Sequence, residues 1–399
     1  MARENEGQTL RDYGNRKKRY RRIRTFIICM LLLAIVAMGI VYWFRISNMS
    51  YHGYEVTNST PNTGEFTSGY ISYGSSVVKY SKDGAVAIDK DGDLLWNGSY
   101  EMMDPIADTC GDYVVVADRG SKSLHIYNNK GEVGSILTLY DIVQVKISKQ
   151  GVVAALMQEG ETSYIKFYYA DSSVVTSSEE SNVLCEIETN VNEDGYPMDI
   201  ALSEDGEKLI VIFLTVTSGE LVSSIGFYNF GEVGQSHVDR ITGVYIYKGN
   251  ILPKAIFLNN DVACVYKEDG FMLYSVPEIP KLIHQEDLKQ KVQSVLHSEK
   301  YTGVVLAGEE GTARQLLLYD LKGNKILDRA LDFDYDKIFL AGEDIIMYDN
   351  LSCLIIKTNG EEKFRYTFTG NVAAFYPINN LNQYFYINAS DISEITLVE

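Results

Sequence analysis

AVAIDKDGDLLW, Ala85 to Trp96, sets two short apolar runs around a turn rich in Asp and Gly. Asp bonds local backbone and Gly takes positive φ, so the stretch reads as a β-hairpin. The same plan recurs in SLHIYNNKGEVGSI, ending at Ile136, and YIKFYYADSSVV, ending at Val175. It returns in SIGFYNFGEVG, ending at Gly234, and GFMLYSVPEIPKLI, ending at Ile283. LLLYDLKGNKIL, ending at Leu327, and CLIIKTNGEEKF, ending at Phe364, complete the series. With Gly92, Gly131, Asp171, Gly231, Pro277, Gly323 and Gly360 as turn markers, the intervals are 39, 40, 60, 46, 46 and 37 residues. A period near 40 is that of a four-stranded unit repeated around a ring. The long interval holds a loop around Thr217–Glu220 and an insertion at Glu179–Asn192.

Each unit alone would expose an apolar face, and radial stacking buries it. The expectation is therefore an all-β chain forming a seven- or eight-bladed β-propeller. Three strand runs near the C-terminus (NVAAFYPI, QYFYIN and SEITLV) lack a fourth. A strand near Phe66–Tyr73 would supply it and close the ring, which favours eight blades over seven. Two β-sandwiches would leave the period accidental. One stretch, Lys281 to Glu299, reads as either helix or strand. The 29 Tyr fit strand packing, with the ring buried and the hydroxyl at a wet edge; an aromatic glycan-binding face is the alternative.

The 399 residues carry a formal charge of −18, an average of two opposite regions. Residues 1–45 balance at +7, and residues 46–399 at −25. Between Arg24 and Arg45 runs an uncharged apolar stretch, Thr25 to Phe44, including Phe26 and Leu32 and ending in Tyr42, Trp43 and Phe44. Its length suits one membrane span. Arg16, Lys17, Lys18, Arg19, Arg21, Arg22 and Arg24 precede it, and the positive-inside bias places them in the cytoplasm. A cleaved signal peptide would have a shorter apolar core and a small-residue cleavage site rather than Tyr-Trp-Phe-Arg. The expected organisation is a cytoplasmic tail over 1–24, a transmembrane helix over 25–45, a juxtamembrane linker over 46–69 and an extracytoplasmic propeller over 70–399.

The acidic outer part argues against nucleic acid and other polyanions as ligands. Cationic or neutral envelope proteins, and glycans, are compatible with it. Cys29, Cys110, Cys185, Cys264 and Cys353 are widely spaced and read as free thiols rather than disulfides. His52, His125, His237, His284 and His297 form no metal-binding or catalytic pair, and no nucleophile elbow or phosphate loop occurs. Asp89, Asp91 and Asp93 suggest calcium, but an EF-hand counted from Asp89 would need Gly and Glu where Leu94 and Tyr100 stand. Asp89, Gly92, Trp96, Gly131, Asp205, Gly206, Gly231, Gly323 and Gly360 are thus read as turn and packing residues. No catalytic, cofactor or metal residue is assigned.

The segment AIDKDGDLLW, Ala87 to Trp96, is similar to the PQQ-like blade motif, in which Asp and Gly shape a hairpin and Trp packs between blades. DIALSEDG, Asp199 to Gly206, looks like the strand-and-turn element of WD40-like propellers. From about residue 54 to 399 the layout resembles an uncharacterised family of bacterial membrane-anchored propeller proteins, a domain of unknown function. The stretches that carry this are CGDY from Cys110, GVVAAL from Gly151, GYP from Gly195, and FYNFGEVG from Phe227. The resemblance implies a propeller in a bacterial cell envelope and no particular activity. A quinone cofactor would need a funnel of metal ligands and charges that the sequence lacks. The functional expectation is a tethered, non-catalytic binding or scaffold module. The alternatives are a ligand-binding sensor acting through a membrane partner, and an envelope hydrolase.

Overall fold

The computed structural model describes residues 24–39, 49–62, 69–170, 183–308, 313–379 and 381–399. Two units separate, residues 1–50 and residues 51–399. In the first, residues 24–39 form a helix whose side chains, Phe26 and Leu32 among them, are exposed. Among the described residues no helix is long and apolar enough to cross a membrane. Tyr42, Trp43, Phe44 and the basic residues from Arg16 to Arg22 lie outside the described residues.

In the second unit, the described residues form thirty-two strands in eight four-stranded antiparallel sheets. The expectation of eight blades rather than seven is met. Seven blades use four consecutive strands each, over residues 69–99, 105–137, 141–190, 196–248, 254–287, 292–331 and 337–367. They are numbered here blades 1 to 7. Blade 8 takes Ala374–Pro377, Gln383–Ile387 and Asp391–Val398 from the end of the chain. Gly53–Pro61 completes it as the outer strand, paired from Gly53 with Val398 to Pro61 with Asp391.

This closure corrects two expectations. The closing strand is not the one near Phe66–Tyr73, since Gly69–Tyr73 is the first strand of blade 1. The stretch 46–69 is not simply a linker, because Gly53–Pro61 lies within it. GYEVTNSTP is polar because an outer strand keeps one edge and much of its surface in water, and polarity alone therefore resembles a linker. Lys281 to Glu299 is strand, Lys281–Asp287 and Val292–His297, on the two sides of a blade junction. The long interval arises partly from ten-residue strands in blade 4, Lys208–Thr217 and Glu220–Asn229, joined by a tight Ser218–Gly219 turn rather than a loop. The residues expected as an insertion at Glu179–Asn192 include the outer strand Val183–Asn190.

The core lies between blades. Val114 and Val116 pack against blade 1, while Val115 and Ala117 pack against blade 3. Alternate side chains of one strand thus bury against opposite neighbours. This is why the middle strands read as unbroken apolar runs and the outer strands alternate, as in Val183–Asn190. Every blade also carries a register shift between its two outermost strands. An extra residue there bends the strand and strengthens the local twist.

Candidate functional site

The first strand of each blade faces the axis, and these strands neighbour one another around the ring, as Gly69–Tyr73 does Pro105–Cys110. In blades 2 to 5 they are joined by a repeated latch. Asp108 Oδ2 accepts the Ile147 amide at 3.0 Å, Gln144 Oε1 the Ile200 amide at 3.1 Å, and Asp199 Oδ2 the Ala255 amide at 2.8 Å. Each side chain reaches from one blade to the backbone of the next. Gln144 also donates to Asp199 Oδ1 at 2.8 Å, which links two latches. Register shifts at Ile142/Gln144 and Pro197/Asp199 immediately precede these latch residues. A bulge of this kind re-aims the side chain that follows it.

Three basic groups join the latch residues. Lys146 Nζ lies 3.3 Å from Asp108 Oδ1, and that carboxylate raises the lysine pKa against the opposing effect of burial. Burial, and then Lys146, lower the pKa of Lys254. His297 is pushed down to about 4, first by burial and then by Lys254 and Lys146. The residue as a whole keeps an exposed surface. Burial raises the Asp199 pKa, against its bonds to Ala255 and Gln144 and the charge of Lys146. At neutral pH the cluster therefore sets a neutral imidazole beside Lys254, which forms no ion pair among the described residues.

The residues expected from sequence lie elsewhere, in turns and between blades. Trp96 stacks on Tyr127 with ring centroids 4.5 Å apart and planes 6° from parallel, joining blade 1 to blade 2 as the Trp of the motif implies. Asp89 Oδ1 accepts the Asp91 and Asp93 amides at 2.9 and 2.8 Å, and Gly92 takes φ 79° in that hairpin. Asp205 hydrogen-bonds Ser203 at 2.5 Å and the Glu207 amide at 3.1 Å; these and Lys208 hold its pKa low against burial. Gly131, Gly206, Gly323 and Gly360 also have positive φ. Gly231 does not; it follows Asn229, whose Oδ1 accepts its amide at 2.9 Å. All five cysteines are free thiols. Among the described residues no group of three or more His, Cys, Asp or Glu is placed to hold a metal ion.

Asp108, Gln144, Lys146 and Lys254 did not stand out in the sequence, and Asp199 did so only as the start of the WD40-like element DIALSEDG. Polar residues within an apolar strand (Asp108 in PIADTC, Lys146 in DIVQVKI) were the available signal. A family model matches residues 47–397. The chain belongs to DUF5711, a family of unknown function. The family region thus includes the closing strand Gly53–Pro61 along with all eight blades. The fold of this DUF5711 chain is an eight-bladed propeller similar to the WD40 kind. Sqt1 of Saccharomyces cerevisiae matches at 14% identity and a TM-score of 0.54, over 88% of this chain and 99% of that one. A eukaryotic initiation factor matches at 11% identity and 0.49, over 88% and 87%. No curated protein sequence matches the chain.

Proposed function

We propose that this protein is a membrane-tethered, extracytoplasmic binding or scaffold module of a bacterial envelope, not a catalyst. The observation that carries the reading is how the axial polar groups are used. Asp108, Gln144 and Asp199 are each bonded to a neighbouring blade's backbone, which makes the ring rigid and leaves them unavailable as acids or bases. A rigid ring presents a fixed loop surface to a partner. The tether is supported by the helix at 24–39, apolar on every side and exposed, because such a helix in water has no stable partner face. In sequence the apolar run continues to Phe44, with a basic flank before it. The −25 balance beyond it favours cationic or neutral envelope proteins, and glycans, over polyanions.

The sensor reading is favoured by Lys254 and His297, whose side chains make no hydrogen bond among the described residues where a small ligand in the channel would meet them. For the hydrolase reading, titratable groups do converge, but among the described residues no hydroxyl or thiol is hydrogen-bonded to His297 as a nucleophile. Crosslinking of the tagged protein in its native membrane, followed by identification of neighbours, tests the proposal. Repeated recovery of one envelope protein supports it. Recovery of none, together with tight metabolite binding by the purified protein, overturns it.

A further inference from the structure

A cleft between blades 3 and 4, on the side away from the axial strands, has a composition that the channel does not account for. It encloses about 690 Å³, within the range of roughly 300–1,000 Å³ usual for small-molecule sites. Part of its wall is aromatic. Phe167 of blade 3 and Phe230 of blade 4 meet with ring centroids 4.6 Å apart, and Tyr228 lies beside them.

Arg240 lines this cleft. It ends the connection between the third and outer strands of blade 4, a connection of eleven residues (230–240) where blade 1 uses five (89–93). Asp239 and Arg240 have φ of 52° and 61°, so two successive non-glycine residues occupy the left-handed region. Strained backbone of this kind persists where the surrounding structure holds a side chain in a set direction. Arg240 Nη1 is buried and has no hydrogen-bond partner among the described residues. The residue as a whole is half-buried and lines the cleft, where an anion is the group that would pair with the guanidinium. Cys185 faces the same space; burial pushes its thiol up to about 11, with Arg240 acting in the opposite direction.

The acids that also line the cleft narrow the ligand. Glu186 is paired with Lys166 at 3.1 Å, and Asp194 accepts the Asn190 amide at 2.9 Å. Glu188 and Asp239 remain exposed at the rim, where they would repel a multiply charged anion. We infer that the cleft binds a small monocarboxylate with an apolar body, its carboxylate on Arg240 and its body against Phe167, Tyr228 and Phe230. This inference is independent of the binding partner proposed above.

The test is calorimetric titration of the full-length protein with phenylacetate, phenylacetamide and inorganic phosphate, alongside alkylation of Cys185 followed by mass spectrometry. Phenylacetate is expected to bind and to slow Cys185 alkylation, with the amide and phosphate at least tenfold weaker. Arg240→Gln is expected to weaken phenylacetate at least tenfold while unfolding no earlier than the parent, because it removes a half-buried charge whose Nη1 has no partner among the described residues. No phenylacetate binding, or an Arg240→Gln protein of undiminished affinity, overturns the inference. The comparison of acid with amide needs no variant and holds even if Arg240→Gln fails to fold: equal affinities also overturn it.

Discussion

Lys363 Nζ lies 2.5 Å from Asp344 Oδ2 in a buried pair, both side chains less than one-tenth exposed. The two residues sit on different strands of blade 7, and Tyr384 of blade 8 donates to the same Asp344 oxygen at 2.8 Å. Burial and then Asp344 push the Tyr384 hydroxyl far above its ordinary pKa, so it stays a donor at any physiological pH. The pair therefore sits at the junction of blade 7 with blade 8, the blade that the chain's two ends build together.

Removing one partner strands the other charge in a dry site. Lys363→Met should destabilise the propeller by about 3–5 kcal/mol in urea denaturation, the usual cost of breaking a buried pair. The double variant Lys363→Met with Asp344→Leu should recover most of that loss. If the double variant is no more stable than the single one, the ion pair is not what the junction depends on.

The axial latches make a separate prediction. Asp199→Ala leaves the Ala255 amide, on a residue only 2% exposed, without its acceptor. An orphaned buried donor costs about 1–3 kcal/mol. Asp199→Asn keeps an acceptor oxygen and should cost less. Equal losses in the two variants would show that charge, and not the latch, is what matters there.

His297 gives the channel a pH dependence. Its pKa in the folded chain, about 4, lies below the unfolded 6.5. The unfolded state thus binds more protons between those values, and this contribution to stability is present above pH 6.5 and lost as pH falls towards 4. His297→Gln should flatten the stability profile over that window compared with the parent. Lys254→Met should raise the His297 pKa, read by NMR titration of the ring; an unmoved pKa would remove Lys254 from the site.

Closure predicts the effect of truncation. A chain beginning at residue 49 keeps Gly53–Pro61, while one beginning at residue 69 loses it and bares the edge of Asp391–Val398. Unpaired edges invite strand-to-strand association. The longer chain should elute as a folded species in size-exclusion chromatography, and the shorter one should aggregate or unfold at lower temperature. Matching behaviour would mean the outer strand is dispensable.

The repeat could be read from sequence because every blade must solve the same local problem. Two hairpins with Asp and Gly turns recur at a spacing that burial on both faces enforces, and AVAIDKDGDLLW shows this as plainly as CLIIKTNGEEKF. Trp96 was legible for the same reason, as a large apolar residue at a fixed offset from its turn. Gly53–Pro61 was not, because an outer strand needs no apolar code and takes its place only by pairing with Asp391–Val398, more than 300 residues away.

The axial cluster was hidden for a related reason. Asp108, Lys146, Asp199, Lys254 and His297 come from five different blades and share no motif. A single Asp or Lys in an apolar strand says only that something polar awaits it. By itself the sequence determined the repeat unit, the strand periodicity and the charge division at the apolar segment, since these depend on neighbours along the chain. Only the tertiary structure decided which strand closes the ring and which charges meet on its axis. Ring closure brings distant residues together, and their hydrogen bonds and pKa values exist only once it has done so.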